Sequence, residues 1–367
     1  MRVTRLRLRE FRTYATAEFA LGAGLTVVHG PNGAGKTNLL EGLYFACTGR
    51  SCRTTNEREV IRHGARVARV EVSGVSEDGP HELAVGIEAG RPRAARVDGV
   101  PVARMVDAPQ RPLVCVFLPD RLELVKGPPA VRRAHLDALV AALWPARRAT
   151  RTAYGQALVQ RNALLARVRA GAAGAAALDA WDTALATHGV ALIADRRAAV
   201  ELLRGPLAAH AQQLSLDGAP AVEYRPSSEA SATDELVAEL ATRRDTDVRR
   251  GVSGHGPHRD VVALLRGGRD LRPYGSQGQQ RLAVLSLLLA EREVLEQARG
   301  APPLLLLDDV LSELDAERRE RLLELLRSAG QSVITTTDLA HVPGAGAPGV
   351  AHLELGAQVA LDEASAA

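Results

Sequence analysis

Hydrophobic residues recur along this chain with two different periods, and the changes of period mark its elements. Between Val3 and Arg9, Leu6 and Leu8 alternate with Arg5, Arg7 and Arg9, which predicts a half-exposed strand. The apolar run Leu25–Val28 ends in His29-Gly30 and predicts a buried strand leading into a glycine-rich turn. Leu39, Leu40, Leu43 and Tyr44 then fall at helical spacing, so a helix is expected from Lys36 to about Cys47. Segments near 68–75 and 82–89 alternate like antiparallel strands, with Gly79-Pro80 as the turn between them. From about Val131 to Arg250 the chain becomes Ala/Leu/Arg-rich and helical, with interruptions at Gly171, Gly205-Pro206 and Gly218 to Pro220. A strand at Val261–Leu265, a helix from about Gly278, a strand at Leu304–Leu307, a helix from Asp315 and a strand at Val333–Thr336 follow. The alanine-rich stretch Ala170–Leu178 reads as a solvent-facing turn or helix end, and no repeat of 20–50 residues is visible. Residues 1–130 and 251–367 are therefore expected to be two α/β segments flanking a mostly helical insertion, 131–250.

The longest apolar runs fall far short of the ~20 residues of a membrane span. The arginine-studded start has no continuous apolar segment of the signal-peptide kind. Cys47, Cys52 and Cys115 make no CxxC pair, so neither a zinc site nor a disulfide framework is indicated. A cytoplasmic protein with no membrane partner is expected. The net charge of +3 is too small to argue for nucleic acid, but its distribution is uneven. Residues 121–170 hold ten Lys/Arg against Glu123 and Asp137, whereas 171–250 hold eight Arg against twelve Asp/Glu. Taken as one helix, Arg147–Arg169 brings Arg147, Arg151, Arg161 and Arg169 into an ~80° arc, a candidate face for DNA phosphates. Leu158 and Leu165 share that arc, so a partly buried or simply solvated face is the competing reading.

Chemistry concentrates in three places. Gly30-Pro31-Asn32-Gly33-Ala34-Gly35-Lys36-Thr37 satisfies G-x-x-x-x-G-K-[ST] in the strand–loop–helix context of a P-loop. Glycines let successive N–H groups at a helix start converge on phosphate oxygens; Lys36 reaches the β- and γ-phosphates, and Thr37 offers a hydroxyl to Mg²⁺. Leu304–Leu307 ends in Asp308-Asp309, at the strand end where open α/β sheets bind ligands. Asp308 suits the metal-holding role and Asp309 that of the catalytic residue orienting water; an N-cap pair is the bland alternative. Tyr274-Gly275-Ser276-Gln277-Gly278-Gln279-Gln280-Arg281 resembles the ABC signature, in which Ser276 and Gly278 open a helix toward a nucleotide held by another subunit; Ser276 would equally serve as a plain N-cap. His255-x-x-His258 lacks a third Cys/His ligand and reads as a turn rather than a metal pair.

Ser312-Glu313-Leu314-Asp315 resembles the D-loop of ABC ATPases, and Thr337 or Asp338 stands where many of them carry a switch histidine. Gln110 is the nearest candidate for a Q-loop glutamine. Motif order is that of an ABC-type P-loop ATPase head with an inserted, mostly helical domain. The insertion is longer than in transporter ATPase subunits and lacks the sustained heptads of chromosome-type ATPases. Phe11-Arg12-Thr13-Tyr14, Pro119-Asp120, Leu124-Val125-Lys126-Gly127-Pro128, Arg132-Arg133, Leu136-Asp137, His255–Asp260 and Leu307–Asp315 narrow the likeness further. In these segments the chain resembles the RecF family. His135 and Cys52 depart from it, standing where the family is expected to have an aromatic residue and Phe.

That resemblance implies two heads closing on two ATP molecules and a slow ATPase used as a switch. It also implies binding to single-stranded, gapped or duplex DNA, with RecR and RecO as partners and RecA served indirectly, in repair, replication and the SOS response. A transporter-type ABC subunit, and a nucleotide-gated structural DNA clamp with incidental hydrolysis, are the alternatives. Arg12 or Tyr14 is a further candidate for packing on the base or phosphates; an edge residue of the first strand is the alternative. Only Lys36 and Lys126 among 46 Lys+Arg residues are lysine. Lys126 is therefore expected to occupy a site too confined for arginine, against DNA phosphate or the nucleotide-bearing lobe.

Overall fold

The computed structural model describes residues 1–118, 122–328 and 330–356. Pro119 and Asp120 of the family-like segment lie outside the described residues. By internal packing the chain divides into two units, Met1–Arg121 with Gln213–Ser215 and Leu295–Ala367, and Leu122–Gln212 with Leu216–Val294.

The first unit opens with β1 (Arg2–Phe11), β2 (Tyr14–Ala20), β3 (Leu25–His29) and helix α1 (Lys36–Thr48). Strands β4 (Val67–Ser76), β5 (Gly79–Glu88), β6 (Ala94–Val97), β7 (Val100–Pro101) and β8 (Val114–Phe117) follow. The second unit supplies α2 (Glu123–Lys126), α3 (Pro129–Leu143), α4 (Arg148–Arg169), α5 (Asp179–Gln213), β9 (Pro220–Arg225) and α6 (Thr233–Arg250). It continues through β10 (Val261–Arg266), β11 (Arg269–Asp270), α7 (Leu271–Tyr274) and the start of α8 (Gln277–Arg299). The chain returns to the first unit with β12 (Leu304–Leu307), α9 (Ala316–Ser328), β13 (Ser332–Thr336) and β14 (Ala351–Glu354).

Two sheets organise the first unit. One is parallel, in the order β14-β3-β13-β12-β8; the other is antiparallel, in the order β2-β1-β4-β5-β6-β7. Both bury leucine and valine against α1: Leu6 and Leu8 of β1, Val70 and Val72 of β4, Val28 of β3 and Leu306 of β12 join Leu39, Leu40 and Leu43 in one core. Gln331 stitches the sheets together, because its amide oxygen accepts from Val3 N (2.8 Å) and its amide nitrogen donates to Gly22 O (2.8 Å). A buried carboxamide left unpaired would cost about 1–3 kcal/mol, which these bonds avoid.

The second unit corrects the sequence reading in three places. Gly205-Pro206 does not break the helix: α5 runs through both residues. Proline removes one backbone donor, but Leu203, Leu207 and Ala211 are buried on either side of it, and their packing keeps the axis intact. Within the stretch read as helical, Pro220–Arg225 forms β9 and pairs antiparallel with β10, Val222 opposite Leu264. The arginine arc of α4 is engaged within the protein, and one of its members is buried. Arg161 is fully buried, bonded to Asp182 (2.6 Å), Asp247 (2.7 Å) and Ser253 Oγ (2.7 Å). Arg147 pairs with Asp195 (2.8 Å) and stacks over Trp144, Arg151 pairs with Asp137 (2.9 Å), and Arg169 reaches Arg250 O (3.4 Å). Burial closes Arg161 to DNA phosphates, while Arg147, Arg151 and Arg169 stay exposed and engaged within the protein.

In the first unit the β4–β5 turn is Glu77-Asp78, two residues earlier than expected, since Ser76 pairs with Gly79.

Candidate functional site

The glycine-rich segment leaves β3 and enters α1 through Gly35, whose left-handed backbone (φ 96°) starts the helix without a side-chain cap. No acidic residue stands in the first turn. The free N–H groups there therefore meet no built-in anion, the condition under which a helix start takes up an external one. Two glycines are required by contact. A Cβ on Gly30 (φ +149°) would come within 2.3 Å of Leu355 O, and one on Gly35 within 2.7 Å of Tyr14 Oη.

Lys36 folds back over the loop and donates from Nζ to Gly30 O (2.7 Å) and Pro31 O (2.9 Å). Burial lowers its pKa, and the neighbouring carboxylates of Asp309 and Asp308 work against that shift. Thr37 Oγ1 donates to Asp308 Oδ2 (2.7 Å), joining residues 271 positions apart. The other oxygen of Asp308, Oδ1, accepts from Thr335 Oγ1 (2.6 Å), and the same hydroxyl accepts from Asp309 N (2.9 Å). Parallel pairing sets Leu307 opposite Ile334, so Asp308 and Thr335 are the next residues along two neighbouring strands. Asp309 has a left-handed backbone (φ 47°), unusual for a residue other than glycine, and its Oδ1 is buried without a hydrogen-bond partner. An orphaned carboxylate oxygen and a strained backbone at a strand end are marks of a functional position.

Thr335 is the residue that sequence reasoning passed over, having looked two and three positions further on. Thr337 is exposed, and Asp338 uses its carboxylate to cap a short helical turn at Ala340 N (2.8 Å). In the segment resembling a D-loop, Ser312 Oγ donates to Asp309 O (2.9 Å) and Asp315 Oδ1 accepts from Arg318 N (2.9 Å) at the start of α9.

Arg12 and Tyr14 are both engaged within the protein. Arg12 forks onto buried Glu41 (2.8 and 2.7 Å), and Tyr14 donates to Gly35 O (3.1 Å) with its ring buried edge-on to Phe19. Burial raises the Tyr14 pKa, so the phenol stays a donor. Gln110 lies in a turn ahead of β8, beside a groove that Val97 and Val100 also line.

In the second unit, Ser276 and Gln279 cap α8 reciprocally: Ser276 N donates to Gln279 Oε1 (3.0 Å) and Gln279 N to Ser276 Oγ (3.3 Å). Ser276, Gln277 and Gly278 are exposed, and nothing lies within 4 Å of a Cβ built on Gly278. The two histidines of the 255–258 turn are hydrogen-bonded within the protein. His255 Nε2 meets Glu239 (2.6 Å), and His258 lies between Tyr154 Oη (2.7 Å) and Ser253 O (2.9 Å). Lys126 is exposed at the end of α2, which overturns the expectation of a confined site for it. Confinement belongs instead to Arg132, which donates to Val262 O (2.6 Å), Val125 O (3.2 Å) and Gly127 O (3.0 Å).

A family described as an AAA domain matches residues 5–84, the stretch holding the glycine-rich loop. The DNA replication and repair protein RecF of Myxococcus xanthus is 40% identical over 374 residues, covering 98% of this chain and 97% of that protein. The chain belongs to the RecF family. A solved structure of the recombination mediator RecF with ATP, from the RecFOR pathway, superposes with a TM-score of 0.85 at 28% identity over 93% of each chain. The Smc head domain of Pyrococcus furiosus shares the fold alone, at a TM-score of 0.55 and 16% identity over 93% of this chain and 92% of that one. The architecture is thus the α/β ABC-type ATPase head, in its RecF form rather than that of a transporter subunit. Among the described residues no helix is long and apolar enough to cross a membrane.

Proposed function

We propose that this protein binds and slowly hydrolyses ATP to control a two-headed grip on DNA during repair and replication. The observation that carries the reading is Asp308, held by Thr37 on one oxygen and Thr335 on the other beneath an uncapped, acid-free helix start. Gly30 to Thr37 receive the phosphates: backbone N–H groups of the loop and of the helix start donate to them, and Lys36 exchanges its carbonyl partners for β- and γ-oxygens. Pro31 and Asn32 shape the turn.

The Thr37 hydroxyl and Asp308 carboxylate are hard oxygen donors, the kind Mg²⁺ takes, and these two residues would hold it. Bound there, Mg²⁺ neutralises phosphate charge. Asp309, with its unsatisfied oxygen, orients the attacking water and accepts its proton. Because its side chain is a methylene shorter than glutamate, turnover is slow and suited to timing.

Exposed Ser276 and Gly278 offer the start of α8 to the nucleotide of a second copy, so ATP drives dimerisation. The RecF–ATP structure of the RecFOR pathway supports ATP as the ligand and the choice of RecR and RecO as partners; RecA loading is the downstream step this reading implies. Single-stranded, gapped and duplex DNA are the substrates to compare, and the cytoplasm is the expected compartment.

The decisive experiment measures dimer mass and DNA binding together, with and without ATP. Parent protein is expected to dimerise only with ATP, while Ser276→Arg binds ATP and stays monomeric. A Ser276→Arg protein that dimerises like the parent would overturn the two-headed reading.

A further inference from the structure

The turn His255–Asp260 of the second unit is anchored from every side. Arg196 donates to Pro257 O (2.8 Å) and Asp260 Oδ2 (2.9 Å), and Ser227 N donates to Asp260 Oδ1 (2.7 Å). Tyr224 gives its hydroxyl to the same carboxylate, and Ser227 Oγ donates to Gly256 O (2.8 Å). His258 is fixed through both ring nitrogens by Tyr154 and Ser253. A six-residue turn seldom needs so many bonds merely to reverse the chain.

Those bonds leave one cation at the edge of the turn unengaged. Arg259 donates from its backbone N–H to Gly256 O (2.8 Å), but its exposed side chain has no hydrogen bond or ion pair with any described residue. Arg133, in the first turns of α3, donates to Asp260 O (2.8 Å) and forms no ion pair among the described residues. The nearby carboxylates are taken: Asp260 by Arg196, Tyr224 and Ser227, and Asp137 by Arg196 (2.8 Å) and Arg151 (2.9 Å). Arg133, Arg196 and Arg259 thus sit within repelling distance, and burial followed by that repulsion lowers the Arg133 pKa. The same two arginines, Arg259 and Arg133, also disfavour the charged form of His258. Rigidly held like charges with no free counter-charge raise the energy of the unliganded protein, and an external anion recovers that energy.

We propose that Arg259 and Arg133 form a phosphate-contact site for the nucleic-acid backbone on the second unit. Planar guanidinium forks suit phosphate oxygens. A pair of arginines presented by a turn and the first turns of a helix suits phosphate oxygens, and such contacts set position on a duplex rather than read base sequence. Such a site explains why the turn is locked: a contact that sets register on a duplex must not move. The proposal rests on the reading that this protein grips DNA, and it adds where one grip lies.

The test is the salt dependence of binding to a fixed duplex with ATP, followed by fluorescence anisotropy. Loss of one phosphate contact lowers the slope of log K against log salt by about 0.9 and weakens binding without regard to sequence. Arg259→Ala is expected to lose roughly one unit of slope, and Arg259→Lys to regain most of it. Fluorescent-nucleotide affinity should be unchanged in both, because the Arg259 side chain has no hydrogen bond or ion pair among the described residues and lies outside the Gly30–Thr37 loop and the Asp308-Asp309 pair. An Arg259→Ala protein with the parent's slope and affinity would overturn the site while leaving DNA binding standing. That outcome would point to an acidic protein surface as the ligand of these arginines. A parent protein that binds no DNA with ATP would sink the proposed function, and this site with it.

Discussion

Thr335 donates its hydroxyl to Asp308 Oδ1 at 2.6 Å across two parallel strands, while also accepting from Asp309 N at 2.9 Å. One buried threonine therefore fixes the carboxylate of Asp308 and the backbone of Asp309. Thr335→Val keeps the shape and removes both bonds, leaving a buried carboxylate oxygen unpaired. Bonds to charged groups are worth about 1.5–3 kcal/mol. ATP hydrolysis is expected to fall at least about tenfold on that basis, with Thr335→Ser retaining most of the parent rate. Steady-state ATPase rates and circular dichroism, compared across the three proteins, check it.

Asp308 and Asp309 are expected to fail differently. Asp308→Asn weakens a hard-oxygen metal ligand, so nucleotide affinity should lose its dependence on Mg²⁺. Asp309→Asn leaves that ligand set intact and should bind Mg-ATP, accumulate dimers and hydrolyse little. Nucleotide titrations with and without Mg²⁺, alongside ATPase rates, separate the two. Equal ATPase rates for Asp309→Asn and the parent would remove Asp309 from catalysis.

Arg161 is buried between Asp182 and Asp247, and replacing it leaves Asp247 without an ion pair among the described residues and Asp182 with Arg244 alone. Removing one partner of a buried ionic network costs about 3–5 kcal/mol. Arg161→Leu should therefore unfold in much less urea than the parent. Protein that remains folded should keep the parent's salt slope for DNA, since the residue has no exposed surface. A drop in slope without loss of stability would return the α4 arginines to the DNA interface.

His258 titrates in an environment that opposes its charge. Burial lowers its pKa, and Arg259 and Arg133 add to the effect. A folded-state pKa below the unfolded value of about 6.5 means the unfolded chain binds more protons below that pH. The resulting stability is complete above about pH 6.5 and is lost as pH falls through the folded pKa. Melting temperature measured from pH 8 to pH 5 should fall in the parent, and less steeply in His258→Gln. Identical slopes for the two would show that the imidazole stays out of the linkage.

Much of the candidate site was legible because it is local. A P-loop is eight consecutive residues whose glycines permit the turn and whose last two supply the charge and the hydroxyl, all between a strand and a helix that short-range periodicity reveals. Asp308 and Asp309 were equally plain, at the end of four leucines. Thr335 was not, although it lies only 26 positions beyond Asp309. Its role depends on the parallel register of two strands, and an intervening helix hides register from any spacing rule.

The arginine arc of α4 shows the same limit from the other side. Angular spacing on a helix says which residues share a face, and it correctly grouped Arg161 with Leu165. Which way the face turns is decided by what packs against it, here Asp182 of α5 and Asp247 of α6. Pro206 and Lys126 failed as local signals for the same reason. Flanking burial carries the helix through one residue, and an unobstructed surface frees the other from the confinement its rarity suggested. The sequence by itself determined the chemistry of the loop and its flanking elements, because backbone conformation and charge are carried by neighbouring residues. Only the tertiary structure decided which distant polar groups meet, because a buried charge is tolerated only where its partners arrive from other elements.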